Sequence, residues 1–439
     1  MTDLPPDGFK MTPLGPLPEE WDVVRLGDLL SRRALWVQNG FAQGEHNQAG
    51  LGVMHLRPFN VTTVGTIDLT QAKYVALPPV GSRYWVQPGD IIFNNTNSED
   101  LVGKTAYFSL SGQFVLSNHM TILRVLDAAL LDAYWLAQQL SLRWQEGLFR
   151  ALCRRHVNQA SISLARLESV AIPLPPLPEQ RAIAHVLQTV QRAREATERV
   201  IAATRALKRS LMRHLFAYGP VPLHEADRVP LKETEIGPLP AHWEAVRLGE
   251  VARELFSGGT PSTRIAEYWG GDIPWTTSAH IEGLYLTRGA KTITSQGLAN
   301  SSSRVVPQYN VIVGTRVGVG KVAVNLIDIA ISQDLTGIII DKQRAHLEFL
   351  AYVLLSEQSQ RVFRSSTRGT TIKGIPRDDL VQIPIPLPPL PEQQALAAAL
   401  LAVDCKLQAE ENRNQSLDAL FKTLLRHLMT GKVRVVPKR

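Results

Sequence analysis

Two glycine-lysine turns come closest to enzyme chemistry in this sequence. SEDLVGKT at Ser98 to Thr105 resembles a phosphate-cradling loop, in which backbone N–H groups hold phosphates and a lysine reaches the outer one, but Ser98 stands where the tight-turn glycine belongs. GTRVGVGKV at Gly314 to Val322 has one residue too many between its glycines, and Val322 replaces the hydroxyl that would hold magnesium. Both turns therefore read as β-turns. No HExxH, no GxSxG and no H-x-E with paired cysteines occurs. A methyltransferase would need a glycine-rich cofactor loop and an Asn/Asp-Pro-Pro-aromatic motif, whereas the Pro-Pro pairs here follow leucine. Cys153 and Cys405 fall far short of a zinc set. Catalytic residues and metal ligands are accordingly expected to be absent from this chain.

Cationic residues are the better lead. The 439 residues carry a formal net charge of +7 and a pI near 9.4, a balance that suits a polyanionic partner. Arg143, Arg150, Arg154, Arg155 and His156 crowd one stretch, while Arg361, Arg364, Arg368 and Lys373 crowd another. Both clusters fall at the same place in an internal repeat. With 44 % hydrophobic and 20 % charged residues the composition is that of an ordinary globular protein. No run reaches the roughly eighteen apolar residues of a membrane span, and MTDLPPDGFK lacks the features of a signal peptide, so a cytoplasmic location is expected.

The repeat is clearest in IPLPPLPEQ at Ile172 to Gln180, which returns at Ile385 to Gln393, 213 residues later (385 − 172). Four prolines in seven positions cannot join a helix interior, so the run is an extended lead-in. Glu179 and Gln180 then stand in the first turn of a helix, where free N–H groups and the dipole favour them. LMRHLF at Leu211 to Phe216 matches LLRHLM at Leu424 to Met429 at the same offset. FKMTPLGPLPEEWDVVRLGD at Phe9 to Asp28 matches LKETEIGPLPAHWEAVRLGE at Leu231 to Glu250 at 222 residues (231 − 9). The chain is thus a tandem duplication whose flanks agree and whose middles differ.

From Trp21 to about Val170, LGVMHLRPFNV, AKYVAL, GDIIFN, KTAYFSL and HMTILRVL predict short strands, with helix over Leu130 to Leu148. The second middle predicts strands at NVIVGT, KVAVNL and LTGIIID and helix over Leu347 to Phe363, with SNHMT at Ser117 to Thr121 falling where SQDLT at Ser332 to Thr336 falls. Trp21, Trp243, Trp269 and Trp275 read as core anchors. The fold class expected is α+β: two similar domains with mostly β cores, each followed by a helix of roughly 38 residues, about 57 Å long. Apolar positions Ile183, Val186, Val190, Ala193, Val200, Leu207 and Leu211 on one helix, and Leu396, Leu400, Val403, Leu407, Leu417, Leu420 and Leu424 on the other, suit an antiparallel coiled coil about an internal pseudo-two-fold. Thr197 and Thr204 interrupt the first seam; Glu410, Arg413 and Asn414 interrupt the second. The boundaries expected are a tail and first domain over 1–170, helix over 171–219, linker and second domain over 220–383, and helix with basic tail over 384–439.

On these motifs, with SGGTPS, EYW and IPW in the second half, the chain resembles the specificity (S) subunits of Type I restriction-modification systems along nearly its whole length. The resemblance implies two target-recognition domains, each reading half of a split, asymmetric DNA sequence, and paired helices that set their spacing. It implies double-stranded DNA, two methyltransferase (M) subunits and restriction/translocase (R) subunits as partners. S-adenosylmethionine, ATP and Mg then belong to those partners, and this chain needs no cofactor. Residues at strand ends and turns are the candidate DNA contacts: Arg57, Asn60, Asn94, Asn95, Lys104, Asn118 and His119, with Arg154, Arg155 and Asn158 beyond. In the second domain they are Thr260, Ser262, Arg316, Lys321, Gln333, Asp334, Arg368 and Lys373. Two other classes stay open, a nucleotide-dependent DNA-processing enzyme using the Gly-Lys turns and a helical scaffold that binds no DNA.

Overall fold

Before the proline-rich lead-ins become helices they are strands. In the computed structural model, which describes residues 5–40, 45–71, 73–78, 82–367 and 374–435, Ala171–Leu174 pairs with Asp22–Arg25 and Pro384–Leu387 pairs with Glu244–Arg247, both antiparallel. Among the described residues each ribbon has two strands, so a proline can sit on a free edge without breaking a ladder bond. Helices follow at once over Leu177–Tyr218 and Leu390–Met429, about 63 and 60 Å long at the usual rise.

The repeated Glu-Gln pair fixes where each helix starts. Gln180 is fully buried; its Oε1 accepts the Asp132 N–H at 2.9 Å, and its Nε2 donates to the carbonyls of Leu130 and Pro175 at 3.1 and 2.9 Å. Gln393 repeats this with the His346 N–H at 2.7 Å and the carbonyls of Arg344 and Pro388 at 2.9 and 2.8 Å. The preceding glutamate holds the tryptophan of the GPLP-x-x-W motif. Trp21 Nε1–H donates to Glu179 Oε2 at 2.9 Å, and Trp243 Nε1–H to Glu392 Oε2 at 2.8 Å. Both tryptophans are fully buried.

The chain divides into two compact units, Met1–Glu198 with Asn412–Arg439, and Arg199–Glu411. The main sheet of the first unit runs Leu35–Asn39, Thr121–Val125, Ile91–Phe93, Thr105–Tyr107, all antiparallel, and is backed by the helix Ala133–Gln145. The second runs Ala252–Ser257, Leu335–Ile340, Asn310–Gly314, Val322–Asn325, backed by Leu347–Leu355, with Tyr285–Leu286 at the edge. Trp135, Phe93 and Phe149 fill one core; Tyr352, Phe349 and Phe363 fill the other. Each unit is mixed helix and sheet, as expected.

Each unit also holds one half of each long helix, and there the two halves lie antiparallel. In the first, Arg194 meets Asp418 at 2.9 Å, and Arg434, just past the second helix, returns to Glu179 at 2.6 Å. In the second, Lys208 meets Asp404 at 2.6 Å and Arg205 meets Glu411 at 2.7 Å. The covered stripe of the first helix is Leu187, Val190, Arg194, Thr197, Ile201, Thr204, Lys208, Leu211, Leu215, a strict alternation of three and four. This corrects the expected seam: Val200 and Leu207 are 40 % and 57 % exposed, and Leu420 on the second helix is 45 % exposed. Polar Arg194 takes a seam position because its guanidinium pairs with Asp418 and stacks over Phe421 at 5.4 Å. Thr197, a supposed interruption, is buried within the stripe. Among the described residues no helix is long and apolar enough to cross a membrane.

Replacing Gln180 by leucine keeps the volume and strands three backbone groups. The expected loss is at least about 3 kcal/mol in denaturant unfolding, about 1–3 for each buried donor or acceptor left unpaired; wild-type stability would show that water replaces the amide there.

Candidate nucleic-acid interface

The two strand registers locate one site twice. Thr121 faces Asn39 on one side and Phe93 on the other, and Thr336 faces Ser257 and Val313 in the same way. Two residues beyond Phe93 and Val313 stand Asn95 and Thr315, so Asn39, Asn95 and Thr121 correspond to Ser257, Thr315 and Thr336. Asn95 Nδ2 donates to Thr121 Oγ1 at 3.0 Å, and Thr121 Oγ1–H donates to Asn39 Oδ1 at 2.7 Å. In the second unit the hydroxyls of Thr315 and Ser257 lie 3.1 and 3.4 Å from Thr336 Oγ1. The residue after each edge strand is glycine for lack of room. A Cβ on Gly40 would lie 2.2 Å from the Ser117 carbonyl, and one on Gly258 would lie 1.9 Å from that of Ile331.

Asn39 and Asn95 in the first unit, and Ser257 and Thr315 in the second, floor an open cleft over the buried threonine. The wall opposite is the segment returning toward the long helix, carried by Ile162 N–H to Asn95 O at 2.8 Å and Ile375 N–H to Thr315 O at 2.7 Å. The first cleft is lined further by Thr96, Asn118, Arg154, His156, Ser163 and Arg166. Arg304, Arg316, Pro376, Arg377 and Asp378 line the second. Polar floors under cationic rims can hold phosphates and accept or donate to base edges.

Of the candidate contacts, Asn95, Asn118, Arg154 and Arg316 line the clefts. Arg154 has no carboxylate partner among the described residues, whereas Arg155 and Arg150 share Glu99 at 2.7 and 3.1 Å. Thr260 donates to Gln333 Oε1 at 2.5 Å, and the Ser262 carbonyl accepts from Trp269 Nε1–H at 3.1 Å. Asn158 and Gln333 are exposed, and His119 and Asp334 are half-buried. Asn60 and Asn94 are buried, Asn60 bonding the Arg57 N–H and the Asp68 carbonyl, Asn94 the Pro58 carbonyl. Arg368 and Lys373 lie outside the described residues. Sequence reasoning passed over Asn39, Arg166, Ser257, Arg304 and Arg377. Ladder pairing, invisible in sequence, brings the first and third of these to the floor, although the alignment of SNHMT with SQDLT already held half of the register.

The Gly-Lys turns have a structural explanation. Lys104 is buried, its Nζ donates to the Val61 carbonyl, and burial holds its pKa below the ordinary lysine value. Lys321 Nζ donates to the Ser278 carbonyl at 3.0 Å. Each ammonium ties its turn to a neighbouring 3-10 turn, Pro58–Asn60 or Ser278–His280, and neither is aimed outward as a phosphate-binding lysine must be. Trp269 and Trp275 meet edge to face at 5.2 Å and bond the carbonyls of Ser262 and Gly259, which explains why SGGTPS and IPW occur together.

Arg57 stacks on Phe59 at 4.1 Å and sits near a histidine with a shifted pKa. Burial foremost, then His46 and Arg57, pushes His55 down to about 4. The unfolded chain takes up a proton there near the ordinary 6.5 while the folded one stays neutral. The contribution of this group to stability is therefore fully present above that pH and is lost as pH drops from 6.5 toward 4. Thermal melts across this window should show the slope, and His55→Gln should flatten it; an identical slope in the variant would assign the loss to other groups.

A family model for the Type I restriction modification DNA specificity domain matches residues 18–203 and 240–419. A Methanocaldococcus jannaschii protein carrying the name MjaX specificity subunit of a type I restriction enzyme is 29 % identical over 433 residues, covering 98 % of this chain and 97 % of its own. The MjaVIII specificity subunit of the same organism is 25 % identical over 441 residues, covering 95 % and 94 %. The crystal structure of a Type-I restriction-modification S subunit from M. genitalium superposes with a TM-score of 0.61 at 14 % identity, over 93 % of this chain and 96 % of that one.

Proposed function

We propose, because the chain belongs to the family of Type I restriction-modification specificity subunits, that its two units each read one half of a split DNA target. Like that family it is a DNA-recognition subunit and no catalyst. The observation carrying the reading is the cleft present in both units at matched strand positions with unmatched side chains, Asn39 and Asn95 against Ser257 and Thr315, over a threonine common to both, Thr121 and Thr336. One scaffold with two sets of letters suits an asymmetric target. The recognition domains are taken as 1–170 and 220–383, with the helical segments 171–219 and 384–439 fixing the spacing between half-sites. Phosphates fall to the exposed arginines at the cleft rims, base edges to the polar side chains between them.

Partners follow from the same duplication. Leu207 and Leu420 are exposed leucines at equivalent positions of the two long helices (420 − 207 = 213). An apolar anchor presented twice suits two copies of one partner, the methyltransferase subunits, with restriction subunits joining for cleavage. S-adenosylmethionine, ATP and Mg belong to those subunits, and the assembly works in the cytoplasm.

The test is binding of the chain with its methyltransferase partner to duplexes at graded salt, together with mapping of methylated sites in a host. Affinity should fall steeply with salt, and the mapped site should be bipartite. Arg316→Ala should weaken binding at the second half-site and lower the salt slope by about one, without changing the melting temperature. Salt-independent binding, or an uninterrupted site, would remove the reading in favour of a scaffold that holds only proteins.

A further inference from the structure

The most exposed large apolar side chain among the described residues is Val157, at 99 %. It stands at the tip of the hairpin Arg154–Arg155 to Ala160–Ser161, closed by the His156 N–H donating to the Gln159 carbonyl at 2.7 Å. The hairpin is built, not loose. Ala160–Ser161 also pairs antiparallel with Thr96–Asn97, a third strand, and Glu99 pins Arg155. Arg154 and His156, two of its residues, line the first cleft. An apolar tip held out by a paired hairpin, between exposed Arg154, Arg155, His156 and Asn158 and beside the cleft, is placed to meet whatever the cleft binds. The flanking cations choose an anionic partner.

The second unit carries such a tip on a different loop. Val317 is 57 % exposed beside exposed Arg316, between Gly314 and Gly318. The loop is held by the Gly320 N–H to Gly314 O at 3.0 Å, Gln360 Nε2 to Gly320 O at 2.8 Å and Lys321 to Ser278. Counted from the matched strands, Val317 corresponds to Asn97 and not to Val157. The two units therefore present an exposed valine beside the same cleft from non-equivalent loops.

We propose that Val157 and Val317 are specificity-determining residues, each packing on the C5-methyl of a thymine in the major groove, one in each half-site. This rests on the DNA-reading function above. The thymine methyl is the apolar group that groove displays, and two-stranded ribbons enter it. Differently placed tips would meet it at different positions of the two half-sites, giving asymmetry beyond that of the cleft floors.

The test uses the full chain with its methyltransferase partner and duplexes carrying the mapped site. Replacing thymine by uracil deletes the methyl alone. At one position of the first half-site wild type should weaken by about fourfold, the value of one buried methyl group. Val157→Ala should show that loss on the thymine duplex and no further loss with uracil, and Val317→Ala should do the same in the second half-site. Being exposed, both positions should leave the melting temperature unchanged. A half-site without an A·T pair, an uracil effect that persists in the variants, or variants that bind and methylate as wild type would overturn the proposal. Failure of the DNA-reading function would look different, since wild type itself would then bind no bipartite site.

Discussion

A buried amide at the start of a long helix is the constraint on which this architecture depends. Gln180 and Gln393 each tie the first turn of a helix of 40 or more residues to two backbone groups of the adjoining domain and one of the proline-rich lead-in. A helix held at one end by a fully buried side chain cannot rotate about its own axis without leaving those groups unpaired, at about 1–3 kcal/mol apiece. The glutamate one residue earlier adds a bond to a buried tryptophan. The orientation of the helix is thereby set by its own domain, and the covered stripe follows from the heptad spacing.

The same clamp is completed differently in the two units. Glu179 receives Arg434 from the segment after the second long helix, while Glu392 receives His242 at 2.7 Å from beside its own tryptophan. The first unit is thus closed by the last described residues of the chain. Gly431, in the left-handed region at φ +69°, turns the chain against Pro18 and Trp21, where a side chain would collide. Gly219, at φ +83°, makes the equivalent turn beside Trp243.

Duplication with divergence explains the surfaces. Backbone requirements are kept in both copies: glycine where a strand passes a carbonyl, lysine where a turn must be tied down, the Ile162 and Ile375 N–H bonds that carry the return segment. Side chains that only line the cleft are free to differ, as amides in one unit and hydroxyls in the other. The Gly-Lys turns look like chemistry in the sequence because glycine and lysine also serve a structural turn well.

Legible in the sequence were the features whose cause is local. Prolines exclude helix wherever they stand, so IPLPPLPEQ fixed the helix starts, and periodicity marked the strands at Ile91–Phe93, Thr121–Val125 and Asn310–Gly314. The seam was misjudged in its middle because apolar letters were followed, giving Val200 and Leu207, whereas Arg194 and Lys208 are covered. A cation can occupy a seam when a carboxylate on the neighbouring helix meets it, and that pairing is a matter of distance across the chain. Asn39 and Ser257 reach the cleft floor by ladder pairing with Thr121 and Thr336, and Lys104 and Asn94 turn inward although their letters suit an exposed contact. The sequence by itself determined the repeat, the element types and the family, because these rest on order and local conformation. Which polar side chains face outward was decided by tertiary structure, because each donor bonds whatever the fold brings within about 3 Å of it.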